Sequence, residues 1–177
     1  MGWTRLSRRE IYANPWMTVY EDDVRNPRGG TNSYGWVHFR NHAVAVVPLA
    51  DNGDTWLVGQ QRYTLGEYSW ELPMGGSPDG ESTLTTAHRE LAEETGLIAA
   101  EMTPLMSLAV SNSITDERAT VYVARGLTET AAQPDETEVL QVRRLPLAEA
   151  VEMAMTGAIT DALSVAALLR VTHEPLP

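Results

Sequence analysis

The 177-residue chain contains no cysteine, a single phenylalanine and no apolar run long enough to span a membrane. Without cysteine there is no disulfide framework, no thiolate metal site and no thiol nucleophile. The opening residues, MGWTRLSRRE, have no apolar core of the kind a secretory leader needs, so the expected location is cytoplasmic. Positive charge is also scarce. Thirteen basic residues against twenty-four acidic ones give a formal net charge of -11. Such a chain repels a nucleic-acid backbone unless a basic patch intervenes. Arg5-Arg8-Arg9 and Arg143-Arg144 are too modest to provide one and read as ordinary surface charge. The sequence predicts no nucleic-acid partner and no membrane association. Repeats, low-complexity tracts and flexible linkers are missing too. What remains is 43% hydrophobic residues in a length that suits one domain with a small extension.

The most informative stretch runs from Gly75 to Leu97, GGSPDGESTLTTAHRELAEETGL. Ser82 to Thr95 holds no glycine or proline and is rich in helix formers. Leu84, Ala87, His88 and Leu91 recur at three- and four-residue steps, which predicts an apolar helix face. Pro78-Asp79-Gly80 is turn chemistry before the helix, and Gly96 is placed to end it. On such a helix Glu90 and Glu94 lie one turn apart, with Glu93 beside them. Like charges at this spacing, near the negative end of the helix dipole, disfavour the helix. A hard divalent cation reverses that penalty, because Mg2+ takes oxygen ligands and is typically held by one or two carboxylates together with substrate phosphates. Arg89 can fork onto one of the carboxylates. Glu81 is either a charge partner for the helix N-terminus or a support for the metal ligands.

Strand patterns flank this helix. Ile11-Tyr12, Met17 to Tyr20 and Gly35 to Phe39 suit strands, with Asn26 to Gly30 as a turn. His42 to Leu49 is a nearly continuous apolar run and reads as a buried strand. After the turn Asp51-Asn52-Gly53-Asp54, Thr55 to Tyr63 returns as a hairpin. Met106 to Val110, Ala119 to Ala124 and Val139 to Leu147 follow as strands, with Ser111 to Arg118 connecting the first two. Ala148 to Met155 and Asp161 to Arg170 read as amphipathic helices. The order predicts an α+β domain of layered α/β/α form.

Gly75, Glu81, Arg89, Glu90, Glu93, Glu94 and Gly96 stand at the spacing G-x5-E-x7-R-E-U-x-E-E-x-G-U, with Leu91 and Leu97 in the aliphatic U positions. This resembles the signature of the Nudix hydrolases, and no position of it is missing. HAVAVVPL, LVGQQRY, WELPMGG and GAITDALSVAALL are similar to the branch that splits ADP-ribose and other nucleoside-diphosphate sugars. The resemblance implies an α/β/α sandwich with a mixed sheet, preceded by an N-terminal antiparallel strand region. It implies a catalytic domain at 41–177, and strands at 1–40 that extend the substrate site and build a homodimer. It also implies metal-dependent cleavage of the diphosphate into a nucleoside monophosphate and a sugar phosphate, with Mg2+ as cofactor and Mn2+ as the alternative.

The resemblance also assigns roles. Glu90, Glu94 and the backbone carbonyl of Met74 would bind metal. Gly75 and Gly76 would let backbone approach the phosphates, or form a plain turn. Glu93 would orient Arg89 or act on the attacking water. Glu117 would be the loop acid, with adjacent Asp116 as its competitor. Arg62 would meet substrate phosphates or pair with Glu71. Trp16, Tyr34 and Trp36 would stack a base or ribose, or fill a core or interface. His38, His42 and His88 show no ligand spacing and read as packed or surface residues. Members specific for ADP-ribose commonly carry a proline shortly beyond the signature. Ser111-Asn112-Ser113 stands there instead, so ADP-ribose is one candidate among nucleotide sugars. The competing expectations are a nucleoside triphosphate or dinucleoside polyphosphate hydrolase, and a non-catalytic nucleotide-sugar sensor.

Overall fold

A computed structural model describes residues 2–132 and 139–173. Three strands open the chain: β1 (Thr4–Ala13), β2 (Met17–Arg25) and β3 (Thr31–Phe39), paired antiparallel in the order β1-β2-β3. Then come β4 (His42–Pro48), β5 (Asp54–Arg62), β6 (Glu67–Glu71), β7 (Met74–Ser77) and α1 (Thr83–Thr95). The rest is β8 (Leu97–Ala109), β9 (Arg118–Glu129), β10 (Gln141–Pro146), α2 (Leu147–Thr156) and α3 (Ala162–Val171). The central sheet has the order β7-β4-β9-β8 and is mixed, because β4 and β9 run parallel while its other pairs are antiparallel. A smaller antiparallel sheet, β10-β5-β6, packs beside it.

The apolar run at β4 is explained by burial on both faces. Alternate residues point to opposite sides of a strand. Val44 and Val46 join Ala87 and Leu91 of α1 in one cluster, whereas Ala45 and Val47 join Leu163, Ala167 and Leu168 of α3 in another. A sheet covered by helices on both faces loses its polar alternation. This is the expected α/β/α sandwich. Among the described residues no helix is long and apolar enough to cross a membrane.

Helix α1 starts where Ser82 accepts a hydrogen bond from Thr85 N at 3.1 Å, which satisfies one of the free N–H groups of the first turn. It stops at Gly96, whose φ of +68° is left-handed and whose N–H reaches Ala92 O at 3.0 Å. β8 begins at the next residue, so the helix end is locked to the sheet edge.

Several sequence expectations need correction. The buried face of α1 is Thr86, Ala87, Leu91 and Glu94, while Leu84 and His88 are exposed. Hydropathy misled here because a carboxylate and a hydroxyl, each hydrogen-bonded, occupy positions facing the sheet. β1 is far longer than Ile11-Tyr12; its residues are all exposed, so no burial pattern marks it. β8 begins at Leu97 rather than Met106, and β6 was not foreseen. The last strand ends at Pro146, with Leu147 already opening α2; the start expected for it, Val139, lies outside the strand.

Candidate active site

Three elements meet around α1 to form the candidate centre. The Glu94 side chain, with the residue only 4% exposed, accepts a hydrogen bond from Met74 N at 2.9 Å. This ties the last turn of the helix to the first residue of β7. Glu90, one turn earlier, lies against Gly75. A Cβ built on Gly75 would overlap its carboxylate, with even the farther oxygen only 2.5 Å away. The glycine therefore makes a cradle for a carboxylate, a role distinct from the expected approach to phosphate. Gly76 does the same for Asn41, whose Nδ2 would stand 2.8 Å from an added Cβ.

Arg89 gathers the acids. Its NH1 donates to Glu90 Oε1 at 2.7 Å and to Glu93 Oε2 at 2.8 Å, its Nε to Glu81 Oε1 at 3.3 Å, and its NH2 to Gly76 O at 3.3 Å. Burial alone would lower its pKa. The hydrogen bonds and charge attraction of Glu93 and Glu90 outweigh that and raise it, so the guanidinium is a permanent cation. Glu81 also accepts from Thr86 Oγ1 at 2.7 Å. That hydrogen bond, opposed by desolvation and aided by Arg89, holds Glu81 below the usual carboxylate range. Glu81 thus ties Arg89 to Thr86 in the first turn of α1.

Beside this cluster lies a cleft of about 480 Å³. It is lined by Met74, Gly75 and Gly76, by Arg62 of β5, by Glu117 from the β8–β9 loop and by Trp16 at its mouth. Phe39, Asn41 and Asp161 also line it. Arg62 forks onto Glu71, with Nε to Oε1 at 2.8 Å and NH2 to Oε2. Hydrogen bonding to Glu71 raises its pKa against desolvation. It both pairs with Glu71 and borders the cleft. Desolvation pushes the Glu117 carboxyl above its ordinary value. Asp116 is engaged elsewhere: its Oδ2 lies 2.6 Å from His38 Nδ1 and its Oδ1 accepts from Phe39 N at 3.2 Å. Between the two loop acids, Glu117 alone faces the cleft.

Of the residues singled out by sequence, the chain brings Trp16, Arg62, Met74, Gly75, Gly76 and Glu117 to one cleft. Arg89, Glu90 and Glu94 touch its lining strand, through Gly76, Gly75 and Met74, and Glu93 joins them through Arg89. Trp36 is not among them. It lies on β3, donates from Nε1 to Asp22 Oδ2 at 3.1 Å, and packs beside Tyr20 with the Arg8 guanidinium over both rings. Tyr34 sits with it around a second cavity of about 490 Å³. Sequence reading missed Asn41 and Asp161. Asp161 caps α3, accepting from Ser164 N at 2.8 Å, and a capping aspartate gives no sign that it also borders a cleft.

A divalent ion fits the donor set. Glu90, Glu94 and a backbone carbonyl are all hard oxygen donors; the Gly75 cradle holds the Glu90 carboxylate, and Glu94 is bonded to Met74 N one residue earlier. Among the described residues no three His, Asp or Glu side chains form a metal-binding group on their own. Substrate phosphates and water would complete the shell, as is usual for Mg2+.

The NUDIX domain model matches residues 39–168, and the nucleoside diphosphate sugar hydrolase N-terminal domain matches residues 3–37. The ADP-ribose pyrophosphatase of Mycobacterium tuberculosis is 35% identical over 171 residues, covering 94% of this chain and 81% of that protein. The ADP compounds hydrolase NudE of Escherichia coli K12 is 33% identical over 171 residues, covering 95% and 90%. A crystal structure of an ADP compounds hydrolase superimposes with a TM-score of 0.87 at 26% identity, over 97% of this chain and 93% of that one. A complete signature centred on α1 and a family match over most of the length agree: the chain belongs to the NUDIX family.

Proposed function

We propose that this protein hydrolyses the diphosphate bond of a nucleoside diphosphate sugar, ADP-ribose or a related compound, to a nucleoside monophosphate and a sugar phosphate. The observation that carries the reading is the pairing of Glu90 and Glu94 with the Met74–Gly75 backbone, which lines a cleft together with Arg62 and Glu117. The relatives named for ADP-ribose and ADP compounds support the substrate class. Members of the family generally require a divalent metal, and Mg2+ suits this donor set best, with Mn2+ able to replace it. Held by Glu90, Glu94 and the Met74 carbonyl, the ion would neutralise charge on the diphosphate and lower the pKa of a bound water.

The remaining work falls to the chain's own side chains. Arg89 holds Glu90 and Glu93 in place from behind, so their oxygens need little reorganisation when substrate enters. Arg62, kept in position by Glu71, offers positive charge to a phosphate at the cleft wall. Glu117, partly desolvated, accepts a proton from the attacking water across the cleft, with Glu93 the second acid near that water. Trp16, 68% exposed at the mouth, supplies a stacking face. Two copies of the chain form the working unit. Apolar Trp3 just before the first strand and Leu6, Ile11 and Tyr12 along it are exposed, and Trp36 lines a cavity separate from the cleft, where it would meet the substrate of a second copy.

The test is a hydrolysis panel over ADP-ribose, GDP-mannose, ADP-glucose, UDP-glucose, NADH, diadenosine polyphosphates and nucleoside triphosphates with Mg2+ or Mn2+, with products identified. Monophosphate plus sugar phosphate supports the reading. Pyrophosphate released from a triphosphate as the dominant reaction overturns it, as does tight ligand binding with no turnover.

A further inference from the structure

The segment at 110–117 that brings Glu117 to the cleft is built as a closed unit. Glu117 O accepts from Val110 N at 3.2 Å, which shuts the base of the loop. Glu117 N donates to Thr115 Oγ1 at 3.3 Å, and Ser111 O receives the amides of Ile114 and Thr115 at 3.1 and 2.9 Å. The outer side of this loop is bonded to β3. Val37 N donates to Ile114 O at 2.8 Å, and Asp116 N donates to Val37 O at 3.3 Å, a parallel bridge between Val37 and Thr115. Tyr34 Oη donates to Ser113 O at 2.6 Å. The Asp116 carboxylate takes Phe39 N on one oxygen and faces His38 Nδ1 with the other. Five hydrogen bonds therefore join the loop to one strand of the N-terminal sheet.

We propose that the N-terminal sheet has a positioning function within its own chain: strand β3, through Tyr34, the Val37 backbone, His38 and Phe39, holds the 110–117 loop in the one register that presents Glu117 to the cleft. Asp116 is the positioning residue and Glu117 the group it serves. This rests on the proposed role of Glu117. The physical reason is the cost of loop freedom. A loop carrying a general base gains nothing from the base unless the carboxylate is held within hydrogen-bond reach of its water, and a displacement of about 1 Å costs up to about 100-fold in rate. An untethered loop leaves its acid distributed over many positions. The neighbouring-residue arrangement also explains why two acids stand together: one is spent on the tether, the other on the cleft.

The test uses the full chain with Mg2+ and whichever nucleotide sugar it turns over. Asp116→Ala should lower kcat about 10- to 100-fold, leaving KM and the Mg2+ activation constant within about twofold, since Glu90 and Glu94 are untouched. Asp116→Asn keeps an acceptor for Phe39 N and should restore most of kcat. In the Glu117→Gln background Asp116→Ala should cost little more, because the residue acts through Glu117. Amide hydrogen exchange supplies a readout independent of turnover. Asp116→Ala and Tyr34→Phe should each speed exchange at Val37 and at 113–117, with α1 keeping its protection. Unchanged exchange in both variants overturns the tether. Full additivity of Asp116→Ala with Glu117→Gln overturns its action through Glu117. An unaffected kcat in Glu117→Gln alone instead removes the catalytic reading of Glu117, and the exchange result then decides the tether by itself.

Discussion

Gly75→Ala is the smallest change that should separate chemistry from stability. Gly75 does not have a positive φ, so alanine suits its backbone. The three atoms nearest the added methyl group all belong to the Glu90 carboxylate, the end of a flexible side chain. Even the farther oxygen, 2.5 Å from the new Cβ, must retreat by about 0.9 Å to reach the 3.4 Å at which ordinary contact begins. The nearer atoms must move further. Coordination of a hard cation tolerates errors of about 0.2 Å, and a 1 Å misplacement in a reacting assembly costs about 100-fold. We expect kcat/KM to fall about 100-fold or more, with a raised Mg2+ requirement. The folded state should change little, because the nearest atoms to be displaced are the end of one flexible side chain rather than backbone; the melting temperature should stay within about 3 °C. The assay pairs steady-state kinetics over a Mg2+ series with thermal unfolding of the same sample. Wild-type turnover by Gly75→Ala would refute the placement of Glu90 in the centre, and a collapse in Tm would show that the glycine serves the fold instead.

Other predictions follow the same contacts. Arg62→Ala strands the buried Glu71 carboxylate and should cost about 2–3 kcal/mol in urea unfolding, below the full penalty for a wholly buried pair because the Arg62 side chain is 38% exposed. Adding Glu71→Gln should recover that stability but leave KM raised, which isolates the part Arg62 plays toward phosphate. Glu117 has a folded-state pKa above its unfolded value, so its ionisation opposes folding as pH rises from about 4.5 through the raised value. Glu117→Gln should therefore raise Tm at neutral pH in metal-free buffer and leave it unchanged at pH values where the carboxyl is neutral in both states. The same variant should remove the acid limb of the kcat–pH profile, a limb that in the wild type lies above the ordinary glutamate range.

The sequence made the signature helix legible because its constraints are local. Ser82, Gly96 and the glutamate spacing each act within one turn, and the apolar run at β4 marked a strand covered on both faces. β1 was nearly invisible for the opposite reason: all ten of its residues are exposed, and only pairing with β2 makes it a strand. Glu90, Glu93 and Glu94 could be read as a cluster, but the cradle at Gly75 could not, since it forms only when β7 lies against α1. Asn41 and Asp161 carry no local sign of the cleft; they reach it through strand pairing and helix docking. The choice between Asp116 and Glu117 was likewise closed to the sequence. It depends on β3, more than seventy residues earlier, taking one of the two. Trp36 shows the converse: its composition suggested a stacking face, yet in this chain it is engaged by Arg8 and Asp22.

The most direct measurement is anomalous diffraction from crystals grown with Mn2+ and a non-hydrolysable ADP-ribose analogue bearing a methylene bridge between the phosphorus atoms. A manganese peak within about 2.4 Å of carboxylate oxygens of both Glu90 and Glu94, and touching the analogue's phosphates, is the expected result. Analogue bound in the cleft with manganese absent from these two glutamates would contradict the account.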